Sequence, residues 1–151
     1  MTENIIIRKA LKKDCQGIFD LSRALAKHHD MEQYLTIEYA DFEQLGFGEN
    51  PAWWAYIAEY NDQIVGFALY YVRFATWRGR TLYLEDFFIS DEMRGKGVGN
   101  MLFNALIEEA KNQKMVAINW QVMKWNDRAI AFYKKYETQF DEERVYCSLS
   151  I

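Results

Sequence analysis

Residues 81–106 read TLYLEDFFISDEMRGKGVGNMLFNAL: an apolar strand, a turn crowded with Gly95, Gly97 and Gly99, and then an apolar helix. Val98, Met101, Leu102, Ala105 and Leu106 share one helical face, and the helix ends near Lys114. Alternate glycines bare the backbone N–H groups of the turn, and the helix start adds unpaired donors and the positive end of its dipole. Such a turn is built to hold an anion, most naturally a phosphate. Two known phosphate loops do not fit it. The P-loop needs a hydroxyl residue after Gly-Lys, and here Gly95-Lys96 is followed by Gly97. The dinucleotide fingerprint needs glycine where this chain has Asn100 or Leu102.

Working outward, IIIR at residues 5–8 predicts a strand, and Asp14 can cap a helix with Cys15, Ile18, Leu21 and Leu25 on one face. A short helix is expected from near Thr36 to Gly46. WWAYIAEY, the turn ND and QIVGFALYYVRF predict a hairpin of two largely buried strands over residues 53–74. After the glycine turn and its helix, VAINWQV (residues 116–122) reads as a strand, NDRAIAFYKKY (126–136) as a helix and RVYCSLS (144–150) as a final strand. The order β, α, α, β, β, β, α, β, α, β predicts a single α/β (α+β) domain over residues 1–151, with a mixed, mostly antiparallel sheet flanked by about four helices.

The 151 residues suit one domain, and half of them are hydrophobic, 17% aromatic, which excludes a disordered chain. A net charge of −4 with no basic stripe argues against a nucleic-acid partner. Cys15 and Cys147 suggest neither a disulfide framework nor a metal site, and the N-terminal residues show no signal peptide or membrane span. A cytoplasmic protein with no membrane partner is expected.

RGKGVG at residues 94–99 fits the [RQ]-x-x-G-x-[GA] signature of the GNAT superfamily of N-acetyltransferases, between the strand and helix where that family has it. GFGENP, IVGFALYY, LYLEDFF, MRGKGVG and WNDRAIAFYKK further resemble the diamine (spermidine/spermine) acetyltransferases and their thialysine-acetylating relatives. The resemblance covers nearly the whole chain and implies the GNAT fold and direct acetyl transfer from acetyl-CoA to a primary amine of a small molecule, within a homodimer. It implies that the backbone of Arg94, Gly95, Lys96, Gly97, Val98, Gly99 and Asn100 receives the pyrophosphate of acetyl-CoA. Phe87, Phe88 and Ile89 would pair their main chain with the pantetheine arm and polarise the thioester carbonyl. Asn126 would contact CoA, and Tyr133 would protonate the departing thiolate; Asn126, Ile130 and Tyr133 share a helical face.

An amine arrives as an ammonium ion, so a base is needed. The alternation of a strand puts Glu85 and Asp86 on opposite faces, and the resemblance makes Glu85 the substrate-binding carboxylate that helps remove the proton. Further candidates for substrate binding are His28, His29, Asp86, Trp77, Asn119, Trp120 and Gln121. The chain departs from the diamine enzymes at His28 and His29, where they carry tyrosine and glutamate, at Ala75, where they carry an acid, and at Glu137, where glycine is usual. Thialysine, an amino acid or a protein N-terminus are alternative acceptors, and a catalytically silent acetyl-CoA-binding module is the alternative outside enzymes.

Overall fold

A computed structural model describes residues 4–151. The chain divides into two compact units, Met1–Trp120 and Gln121–Ile151.

The first unit is a five-stranded sheet in the order β1-β2-β3-β4-β5. β1 (Ile5–Lys9), β2 (Trp54–Tyr60), β3 (Gln63–Ala75) and β4 (Gly79–Ile89) form an antiparallel meander, and β5 (Ile118–Trp120) joins β4 in parallel. The ND turn between β2 and β3 works as its letters predict. Asn61 and Asp62 both take left-handed backbone (φ 49° and 59°), the twist that a two-residue hairpin needs. Helices α1 (Cys15–His28) and α2 (Tyr39–Phe47) connect β1 to β2, and α3 (Val98–Asn112) makes the crossover from β4 to β5.

The two faces of the sheet bury different residues. Cys15, Ile18 and Phe19 of α1 and Phe42 of α2 pack with Ala55, Ile57, Phe67, Leu69 and Phe88. The opposite face carries Tyr56, Tyr70 and Phe87, which meet Glu109 and Phe103 of α3. Asp14 does not cap α1 with its side chain. It accepts from the Leu11 N–H at 2.7 Å and from Arg8 at 2.7 and 3.0 Å, and Arg8 also reaches Glu59 at 2.6 Å. One guanidinium thus ties β1, the entry to α1 and β2 together.

β4 is not a regular strand. Leu69 pairs with Asp86 and Tyr70 with Leu84, so Glu85 is the extra residue of a β-bulge. Leu82 and Leu84 are buried on the α3 face. Without the extra residue, alternation would carry the Asp86 carboxylate into that same apolar layer. With it, Asp86 and Phe88 join Leu69 and Phe67 on the α1 face, and Phe87 turns to Phe103 instead. Glu85 and Asp86 therefore share the α1 face, which corrects the expectation that they lie on opposite ones.

The second unit holds α4 (Asp127–Tyr133), shorter than the helix the sequence predicts. RVYCSLS is not a strand here: residues 144–150 are exposed and without regular structure. Its alternation is strand-like, but a strand exists only in a ladder, and the described sheet has five strands, none from this segment. The strand read from VAINWQV is confined to Ile118–Trp120.

Candidate active site

The glycine turn has the geometry of an anion cradle. Gly95 and Gly97 take positive φ (73° and 82°), and Gly97 is the left-handed cap of α3. No side chain caps the helix start and no acid lies in its first turn. A Cβ at Gly95 or Gly97 would meet no atom of the chain within 4 Å, so the backbone is open to a docking group. Met93 and Val98, both buried, pin the turn from either side. Arg94 fastens its entry: Nε donates to the Ile89 carbonyl at 3.1 Å, Nη1 pairs with Asp91 at 2.7 Å, and the guanidinium lies 5.3 Å from the Phe88 ring centre. The side chain of Arg94 thus positions the turn, whose main chain runs on through Lys96 into α3 at Val98, Gly99 and Asn100.

The strand leading into the turn is also suited to a ligand. The parallel ladder between β4 and β5 covers three residue pairs, ending at Leu84 and Trp120, and β4 runs on for residues 85–89. A strand that runs on past its neighbour leaves main-chain groups on that side to pair with an extended guest. The side chains of Phe87 and Phe88 pack on opposite faces, so their backbone and not their rings would meet it. An open glycine turn, an uncapped helix start and a strand extending past its neighbour fit acetyl-CoA, a diphosphate on a long amide-bearing arm.

On the α1 face beside this strand lies a cluster of polar side chains. Tyr71 donates to Glu85 Oε2 at 3.3 Å and stacks on Tyr83 at 5.2 Å. Burial, then the Glu85 charge, pushes the Tyr71 phenol up to about 12. Burial, then Glu85, raises the Asp86 carboxyl to about 6. Asn119 is the register partner of Tyr83 and shares its face. His28, the last residue of α1, lies 6.5 Å from Phe88, ring centre to ring centre. His29 sits 5.5 Å from His28, and burial followed by the His28 charge lowers its pKa, which favours neutral imidazole.

Two expected substrate residues are elsewhere. Trp120 meets Phe103 edge-on at 5.5 Å on the α3 face, across the sheet from the carboxylates. Trp77 is 98% exposed in the turn between β3 and β4, about 20 Å along the strand from Glu85 at roughly 3.3 Å per residue. Tyr71 and Tyr83, which the sequence reading does not single out, share the face of Glu85 and Asp86.

In the second unit, Gln121 is its first residue and Asn126 caps α4, its Oδ1 accepting from the Ala129 N–H at 3.2 Å. This leaves the amide nitrogen of Asn126 for a ligand. Tyr133 is buried, and burial raises its phenol to about 12.

A mixed sheet with a glycine turn between a bulged strand and an uncapped helix start is suited to an extended anionic ligand. The Acetyltransferase (GNAT) family profile matches residues 15–137, and the chain belongs to this family. It is an N-acetyltransferase whose acyl donor is acetyl-CoA. It is 32% identical over 143 residues to a thialysine N-epsilon-acetyltransferase of Bos taurus, covering 89% of this chain and 84% of that one. It is 35% identical over 134 residues to a human spermidine/spermine N(1)-acetyltransferase-like protein 1, covering 84% of this chain and 19% of that one. Among solved structures, an aminoglycoside N-acetyltransferase AAC(6')-Iy in complex with CoA superposes with a TM-score of 0.77 at 18% identity, covering 97% of this chain and 95% of that one.

Proposed function

We propose that the protein transfers acetyl from acetyl-CoA to a primary amine of a small cationic molecule, of the diamine, polyamine or thialysine kind, by direct attack without an acyl-enzyme. The observation that carries this reading is the bulge in β4, which sets two carboxylates on one face of the strand that leads into the glycine turn. The names of the relatives support the acceptor class, and a catalytically silent module is not favoured beside them.

The backbone of residues 94–100 holds the pyrophosphate, and the main chain of Phe87, Phe88 and Ile89 orients the thioester and polarises its carbonyl. Glu85 and Asp86 draw in the ammonium group, with His28 and Asn119 beside them and Gln121 as a further contact. Tyr133 is the general acid for the leaving thiolate. Its support is a phenol that stays protonated well above neutral pH. Asn126 contacts CoA. Trp77, His29 and Trp120 remain candidate substrate contacts by resemblance only.

The two units together form one acetyltransferase domain, a reading supported by the family match, which spans both. A homodimer is supported by apolar side chains left exposed on the single chain, among them Phe74, Val145 and Leu149. No helix among the described residues is long and apolar enough to cross a membrane, and a cytoplasmic location is supported by two unpaired cysteines.

Assaying CoA release with a panel of amines tests the activity. Diamines, polyamines and thialysine are expected to turn over, and amines carrying net negative charge to be at least tenfold poorer in kcat/KM. Equal rates for cationic and anionic amines would contradict the reading.

A further inference from the structure

We propose that Arg73 is a specificity-determining residue that receives the carboxylate of the acceptor, which makes the acceptor a basic amino acid acetylated on its side-chain amine in preference to a diamine. This rests on the acetyl-transfer reading above and names the acceptor class within that same site.

Charges follow a fixed order along the α1 face of the sheet. Glu85 and Asp86 stand at the end nearer the glycine turn. Next come Tyr71 and Tyr83, opposite one another in register and stacked at 5.2 Å, with Tyr71 donating to Glu85 at 3.3 Å. Arg73 follows Tyr71 by two residues on β3, so strand alternation puts it on this face. Its register partner is Thr81, yet its guanidinium lies 5.7 Å from the Tyr83 ring centre, which carries the charge diagonally toward the acids. Asn119, the register partner of Tyr83 on β5, adds an amide beside it. The next pair beyond Arg73 on this face is Ala75 with Gly79, which carries no charge.

Arg73 is exposed, and among the described residues its guanidinium has no hydrogen bond or ion pair. Arg94, which also reaches this face, is engaged by Asp91 and the Ile89 carbonyl. A lone surface arginine is ordinary. This one is held on an aromatic ring beside two carboxylates and pairs with neither, so the opposite charges stay apart and can be bridged by a guest that carries both.

The spacing selects the guest. Tyr83 precedes Glu85 by two residues, roughly 7 Å at the rise of a strand. The side-chain nitrogen and the carboxylate carbon of an extended lysine are about 7 Å apart at ordinary bond lengths. Such a guest lays its ammonium on Glu85 and Asp86, its methylenes along the two tyrosines and its carboxylate in the guanidinium fork, whose planar donors match it. A diamine of the same length brings a second ammonium toward Arg73 with no anion between them, and like charges repel. The transfer itself is unchanged. The amine nitrogen bonds to the acetyl carbon, the C–S bond breaks with its electrons going to sulfur, and of the two protons nitrogen sheds one goes to the thiolate and one to solvent.

The experiment compares lysine with cadaverine, which differ only in the carboxylate, as acceptors for wild type, Arg73→Met and Arg73→Glu, with kcat and KM resolved and CoA affinity as the folding control. Wild type should favour lysine by about tenfold or more in kcat/KM, the scale of a charge-assisted pair. Lysinamide, which keeps both amines and loses the anionic charge, should fall to the level of cadaverine. Arg73→Met should lower kcat/KM for lysine by about tenfold or more, chiefly through KM, and raise it for cadaverine. Arg73→Glu should place cadaverine ahead of lysine. Cadaverine or lysinamide used as well as lysine by wild type overturns the assignment and leaves the acetyl-transfer reading standing. So does a loss in Arg73→Met that both acceptors share equally, which is the mark of a structural role. A wild type that acetylates no primary amine overturns the functional reading itself, and this assignment with it.

Discussion

At the scale of single residues, Tyr133 and Asp86 occupy environments that work in the same direction, each favouring the neutral, proton-bearing form. The Tyr133 phenol, raised by burial to about 12, stays a proton donor throughout the range in which the enzyme is folded and assayed. Tyr133→Phe keeps the buried ring and removes only the proton, so CoA should bind within a few-fold of wild type. The chemical step should slow by about 10²- to 10⁴-fold, more than the roughly tenfold expected if the phenol only positions the thioester. Single-turnover kinetics measure this, and a loss below tenfold would remove the general-acid role. The same burial couples to stability. The phenol ionises near 10 when unfolded and near 12 when folded, so its contribution is intact below pH 10 and is lost as pH rises toward 12. Alkaline unfolding of Tyr133→Phe should accordingly begin at higher pH than that of wild type. The residues proposed for this site could be singled out in the sequence, because a strand acid and a helical tyrosine can be recognised by their letters. The facing of Glu85 and Asp86 was not. Strict alternation separates them, and the pairing of Leu69 with Asp86 and Tyr70 with Leu84 brings them together.

At the scale of elements, the glycine turn was the most legible part of the chain, since alternate glycines before an apolar helix have few other uses. Its two kinds of glycine call for different tests. Gly97 takes φ 82°, where any side chain is strained, so a substitution there perturbs folding and binding at once. Gly99 lies within α3 and tolerates a side chain in its backbone conformation. Gly99→Val should therefore lower CoA affinity at least tenfold while costing about 1 kcal/mol of stability or less, as read by calorimetric titration and thermal unfolding. Unchanged affinity would place the pyrophosphate elsewhere. The Arg8 junction has the opposite character, structural and remote from the turn. Burial pushes the Asp14 carboxyl up, but Arg8 and the Leu11 N–H outweigh it and hold the pKa below its ordinary value. The resulting stability is present above about pH 4 and is lost as pH falls through the lowered value. Arg8→Met strands a buried carboxylate and should cost about 3 kcal/mol, a fall of roughly 10 °C in Tm, without altering CoA affinity. The final strand was misread because period-two apolarity in RVYCSLS states only that the segment could pair, whereas pairing needs a free edge within reach.

At the scale of the whole molecule, the proposed function joins a donor site on the glycine turn to an acceptor face on the α1 side of the sheet. A solved structure at 18% identity shares this fold over 97% of the chain. In that proposal the acceptor face is made of side chains, and it is there, at His28, His29 and Ala75, that the resemblance to the diamine enzymes departs. In the homodimer reading, the exposed Val145 and Leu149 are covered by a second copy, and Leu149→Asp should shift sedimentation from dimer toward monomer. The central claim is that a bulged strand presents paired carboxylates to an amine while the glycine turn holds acetyl-CoA. A crystal structure of the protein with CoA and its best amine tests this most directly. The pyrophosphate is expected on the backbone amides of residues 94–100 and the amine nitrogen within hydrogen-bond reach of Asp86 and Glu85, directly or through one water. An amine bound away from both carboxylates, with the pyrophosphate off the glycine turn, would contradict it.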